Sequence, residues 1–81
     1  MKRFGEKLRA LREERSLSLR ELAAILGYKT HSYINEVELG RKVPTVDLVL
    51  KTARFFHVTA DALLKDEIEM SFRGVRRKTR R

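Results

Sequence analysis

A five-helix, all-α bundle is the fold this sequence predicts, and three observations predict it. Apolar residues return at helical spacing in successive stretches, capping residues stand between those stretches, and no segment alternates with period two for long enough to make a strand. A chain of 81 residues allows one domain with a small core.

Each element has its own local signal. Phe4, Leu8, Leu11 and Arg15 recur at helical spacing, with Glu6, Arg9, Glu13 and Glu14 opposite, and predict an amphipathic first helix over about residues 2–15. Ser18-Leu19-Arg20-Glu21 reads as a capping box that starts a second helix, buried along Leu19, Leu22, Ala23 and Leu26 and ended by Gly27. Thr30 is the next expected cap. Ile34 and Val37 face inward on a third helix that stops at Gly40. After the basic loop Arg41-Lys42-Val43, Pro44-Thr45 sets up a fourth helix, with Val46, Val49, Leu50, Ala53 and Phe56 as its expected apolar stripe. Thr59 caps a short fifth helix from Ala60 to about Lys65. Beyond it Ile68, Met70 and Phe72 alternate weakly.

Charge divides the chain. Lys and Arg number 19 against 11 Asp and Glu, for a net charge of +8. From Arg73 onward there are six cations and no acid, a composition expected to stay flexible and suited to neutralising phosphates. The expected organisation is therefore a domain over 1–65 and a C-terminal extension over 66–81, basic and flexible from about residue 73. The chain has no cysteine, which removes disulfides, thiolate metal sites and a cysteine nucleophile. No apolar run approaches the ~20 residues that span a bilayer, and the charged opening MKRFGEKLRALREER lacks the apolar segment of a secretory signal. A soluble, intracellular protein is expected. His31 and His57 are the only histidines, and no glycine-rich phosphate loop or serine nucleophile motif appears, so neither an enzyme nor a cofactor is expected. His57 reads as the C-terminal cap of the fourth helix.

Two short helices separated by a glycine turn, inside a five-helix bundle, form a helix-turn-helix signature. The residues carry the pattern further. The string LRALREERSLSLRELAAILGY…SYINEVELGRKVPTVDLVLKTARFFHVTADALL resembles the Cro/phage-repressor type of helix-turn-helix domain, the Xre-like family, over about residues 4–64. The likeness implies a lambda-repressor-like bundle whose third helix enters the major groove of DNA. It departs from the family in the turn: Gly27 and Gly40 stand one residue further apart than is usual. Keeping Ile34, Val37 and Glu38 in register places the additional residue between Gly27 and Thr30, with Tyr28 filling the usual apolar plug and Lys29 pointing outward.

A recognition helix keeps its N-terminal end free of apolar bulk and rich in hydrogen-bonding groups. Helix three offers His31, Ser32, Tyr33, Asn35 and Glu36 away from Ile34 and Val37. By resemblance, His31, Ser32 and Glu36 fall on base-contacting positions, and Asn35 is their helical neighbour. Glu36 suits only a cytosine amino group or the rejection of other sequences. Arg20, Lys29, Thr30, Tyr33, Arg41 and Lys42 are the expected backbone contacts, since any donor in range serves a phosphate. The bland alternative is that these positions are merely solvated. Arg12 and Glu38 match positions that pair in relatives and fix the angle of helix three.

The resemblance implies a sequence-specific transcriptional regulator of double-stranded DNA, most simply a repressor or controller, in a prokaryotic or phage-type cytoplasm and nucleoid-associated when bound. A homodimer on a palindromic operator is expected, because one helix in one groove reads only a few base pairs. Phe55, Leu63 or Leu64 would form its interface, with Ile68, Met70 and Phe72 as extensions. No small-molecule ligand is evident. A rival reading remains: an adaptor that binds proteins through the bundle and nucleic acid nonspecifically through the tail.

Overall fold

The computed structural model describes residues 3–66, and among them five helices and no strand form. They are α1 (Phe4–Glu14), α2 (Leu19–Leu26), α3 (Ser32–Glu38), α4 (Val46–Phe56) and α5 (Ala60–Leu64). The extension beyond Asp66, with Ile68, Met70, Phe72 and the basic run, lies outside the described residues.

Local chemistry sets most of the boundaries. The Ser18 hydroxyl accepts from the Glu21 amide at 3.0 Å, and the Ser18 amide donates to the Glu21 carboxylate at 2.8 Å, completing the capping box. Gly27 closes α2 at φ 87°, a backbone that an L side chain adopts only with strain. Its amide donates to Ala24 O and that of Tyr28 to Ala23 O, the paired closure of a Schellman turn. Thr45 and Thr59 cap α4 and α5 through their hydroxyls at 3.1 and 3.0 Å. His57 occupies the left-handed position after α4 at φ 58°, where glycine is the less strained residue.

The core gathers side chains from all five helices: Phe4, Leu8 and Leu11, then Leu22, Ala23 and Leu26, Ile34 and Val37, Leu48, Val49 and Phe56, and Leu63. α1 packs on α3 and α5, α2 on α3 and α4, and α4 on α5. Gly5 makes the first of these approaches possible. A Cβ there would collide with the carbonyl oxygen of Val37 and stand 2.9 Å from that of Glu38, so only a residue without a side chain lets α1 lie on the end of α3.

Four expectations need correction. The stripe of α4 is Leu48, Val49, Thr52 and Phe56, while Val46 and Leu50 are 74% and 46% exposed. The helix is turned by roughly a quarter from the expected register, at about 100° per residue. Its opening run Val-Asp-Leu-Val-Leu offers apolar residues on nearly every side, so periodicity alone does not choose the buried one. Thr52 lies inside this stripe with a hydroxyl that has no partner among the described residues. Arg15 lies past the end of α1 and is exposed, its guanidinium 5.2 and 5.1 Å from the ring centres of Phe55 and Phe56. Leu63 is fully buried in the core and cannot serve an interface; Leu64 and Phe55 are half-buried. Finally, α3 begins at Ser32, after His31, and Thr30 is not its cap in the usual sense. The helix starts one residue later than a Thr30 cap would set it, and the Thr30 hydroxyl accepts from the Ser32 amide only at 3.4 Å.

Lys7, on the inner side of α1, is a buried lysine that the sequence does not announce. It is 3% exposed and donates from Nζ to the carbonyl oxygens of Ala62 and Lys65, satisfying the end of α5. Asp66 then meets the start of α1: its carboxylate accepts from the Arg3 amide at 2.9 Å, and its carbonyl from the Arg3 guanidinium at 3.0 Å.

Candidate nucleic-acid interface

α3 is seven residues long, and Ile34 and Val37 are its buried apolar residues. Ser32 is exposed, and His31, Asn35 and Glu36 are part-exposed. The helix therefore presents a polar side to solvent and an apolar side to α1 and α2.

What holds it is concentrated at its far end. Arg12 grips Glu38 with two bonds, Nε to Oε2 at 2.8 Å and Nη2 to Oε1 at 3.0 Å, and its Nη1 donates to Leu17 O at 2.8 Å. The two side chains are 13% and 4% exposed, so the pair is removed from competing water. The hydrogen bond to Glu38 raises the Arg12 pKa despite the opposing effect of burial. α1, the chain after it and α3 are thereby locked at one angle.

A second tie runs from the turn to α4. The Tyr28 ring lies 5.6 Å from that of Tyr33 and carries the Lys51 ammonium 4.7 Å from its centre. The Tyr28 hydroxyl donates to Asp47 at 3.3 Å, and Lys51 pairs with Asp47 at 3.0 Å. Burial, then the Asp47 charge and hydrogen bond, raises the Tyr28 pKa. The Tyr33 hydroxyl accepts from the Thr45 amide at 2.9 Å, which leaves the phenol's own proton free to donate elsewhere. Of this cluster only the Asp47–Lys51 spacing of four is legible in the sequence; the rest depends on where α4 stands.

The expected contact residues fall into two groups. Arg20, Lys29, Thr30 and His31 line one open groove with Tyr28, where the start of α2 meets the turn. Arg41 and Lys42 line a second groove, after α3, with Phe4, Val37 and Val43. The Arg41 guanidinium stands 3.5 Å from the Glu36 carboxylate, a loose exposed pair that couples an expected base contact to an expected backbone contact. Cations thus precede and follow α3 while hydrogen-bonding side chains occupy its solvent side. Such a surface can take phosphate oxygens at its edges and base edges at its centre. Among the described residues no group of His, Cys, Asp or Glu could hold a metal ion, and no helix is long and apolar enough to cross a membrane.

No curated protein and no solved structure matches the chain significantly. A family model does: the one described as a helix-turn-helix domain matches residues 3–65, a span that contains all five helices. The chain belongs to the helix-turn-helix domain family.

Proposed function

We propose that the protein is a sequence-specific, double-stranded-DNA-binding transcriptional regulator of repressor or controller type, acting as a homodimer on a palindromic operator with α3 in the major groove. The observation that carries the reading is the division of α3: a polar outer side with Ser32, Asn35 and Glu36, and cations before and after it at Arg20, Lys29, Arg41 and Lys42. In this reading His31, Ser32, Asn35 and Glu36 read bases, while Arg20, Lys29, Thr30, Tyr33, Arg41 and Lys42 hold the backbone. Phe55 and Leu64 meet the second copy. The extension over 66–81 adds phosphate contacts from its basic run, each steepening the salt dependence by roughly one unit.

Binding-site selection on random duplexes tests it. The wild type should return a palindrome. Ser32→Ala or Asn35→Ala should alter the preferred base at one or two positions, and Arg41→Ala should weaken all sequences alike. A selection that returns no preferred sequence for the wild type would refute the reading in favour of nonspecific affinity.

A further inference from the structure

The groove behind α3 has an occupant within reach. It is lined by Val43 and Pro44, which offer its accessible apolar surface over the buried Phe4 and Val37, and its rim carries the exposed cations Arg41 and Lys42. Val43 is 73% exposed, an apolar side chain that no other described residue covers. The path of the chain leads straight to this place. Lys7 fixes the carbonyl of Lys65, and Arg3 holds Asp66 through two hydrogen bonds. Asp66, the last described residue, therefore stands beside Arg3, one residue before groove-lining Phe4.

The next six residues are Glu67-Ile68-Glu69-Met70-Ser71-Phe72, in which apolar residues alternate with two acids. In an extended chain Ile68, Met70 and Phe72 share one side and Glu67, Glu69 and Ser71 the other. The apolar side matches that apolar lining and the acids match the rim. Six extended residues span about 20 Å, enough to cross from Arg3 to the loop after α3. We infer that residues 67–72 of this chain dock in the groove formed by Phe4, Val37, Val43 and Pro44, with Glu67 and Glu69 against Arg41 and Lys42. The docking does not depend on the DNA-binding reading. It gives that reading a consequence: the basic run beginning at Arg73 starts beside the loop after α3.

The absence of cysteine makes the test direct. A nitroxide attached at Ser71→Cys in the otherwise intact chain should broaden the amide signals of Gly40, Arg41, Lys42 and Val43 several-fold more than those of Ile25, Lys51 and Arg54, which line a different groove. The contrast should disappear when Ile68→Ser and Met70→Ser are added, changes beyond the described residues, with the rest of the spectrum as a control for folding. Weak, even broadening would mean a solvated segment and overturn the inference. Broadening centred on Lys51 and Arg54 would place the segment elsewhere and overturn it too. Broadening seen only when labelled chains are mixed with unlabelled, isotope-enriched ones would make the occupant a second copy, against docking within one chain.

Discussion

The two ends of α3 are built to opposite standards. At the C-terminal end the Arg12–Glu38 pair, the buried Gly5 beneath it and a Schellman closure from Arg41 N to Glu36 O act together. At the N-terminal end His31 makes no side-chain capping bond and has a helical backbone, φ −89° and ψ −2°, and the Thr30 hydroxyl accepts from the Ser32 amide only at 3.4 Å. Yet the N-terminal end carries His31 and Ser32, two of the four expected base contacts. The difference teaches where orientation is stored. A helix clamped at the far end keeps a fixed axis while its leading residues stay uncommitted, so their hydrogen-bonding capacity is available to a ligand.

Breaking the clamp should give the largest effect. Glu38→Ala leaves Arg12 buried without its carboxylate and should cost about 3 kcal/mol or more in urea unfolding. A loss below about 1 kcal/mol would mean the pair does not anchor α3, since surface pairs lie in that range. Gly5→Ala comes next, at roughly 2 kcal/mol, because backbone and not a flexible side chain stands in the way. A neutral Gly5→Ala would show that α1 and α3 can slide apart.

Capping substitutions sharpen the contrast at smaller scale. Ser18→Ala and Thr45→Ala should each lower stability by about 1 kcal/mol, whereas Thr30→Ala should lower it by less than about 0.5 kcal/mol. Equal losses for all three in thermal unfolding would mean that α3 is capped as firmly as its neighbours.

The smallest effect concerns pH. The pKa of Tyr28 is raised above the ordinary tyrosine value of 10.0, so the fold favours its neutral form. That contribution is whole below pH 10.0 and is lost as pH rises through the higher folded value. Tyr28→Phe should therefore lose less stability than the wild type across that alkaline interval. Parallel stability curves would show that Tyr28 does not couple the turn to α4 through its ionisation.

Features that depend on neighbours in sequence are legible in it. Ser18, Thr45 and Thr59 cap where their spacing places them, Gly27 closes α2, and the inner faces of α2 and α3 agree with their periods. Features that depend on distant backbone are not. Gly5 is conspicuous only once Val37 and Glu38 lie against it, and Lys7 looks like a surface lysine until the end of α5 arrives. Leu63 and Leu64 are equivalent in the sequence because a five-residue helix is too short for two adjacent leucines to reveal which faces inward. α4 misleads for the opposite reason, having too many apolar residues rather than too few. At the site, residue types are readable on α3, but the Tyr33–Thr45 and Tyr28–Asp47 bonds are not, since both reach across to α4 and its cap.

Lys7 also gives the protein a built-in chronometer. Amine-reactive reagents meet Lys29 and Lys42 at the surface, but Lys7 is sealed between α1 and α5 with its ammonium spent on two carbonyls. Acylation of Lys7 must await separation of those helices, so its rate counts openings of the bundle while the surface lysines react at the speed of the reagent. A mass spectrum taken at intervals thus reports the breathing of this interface in the unaltered chain.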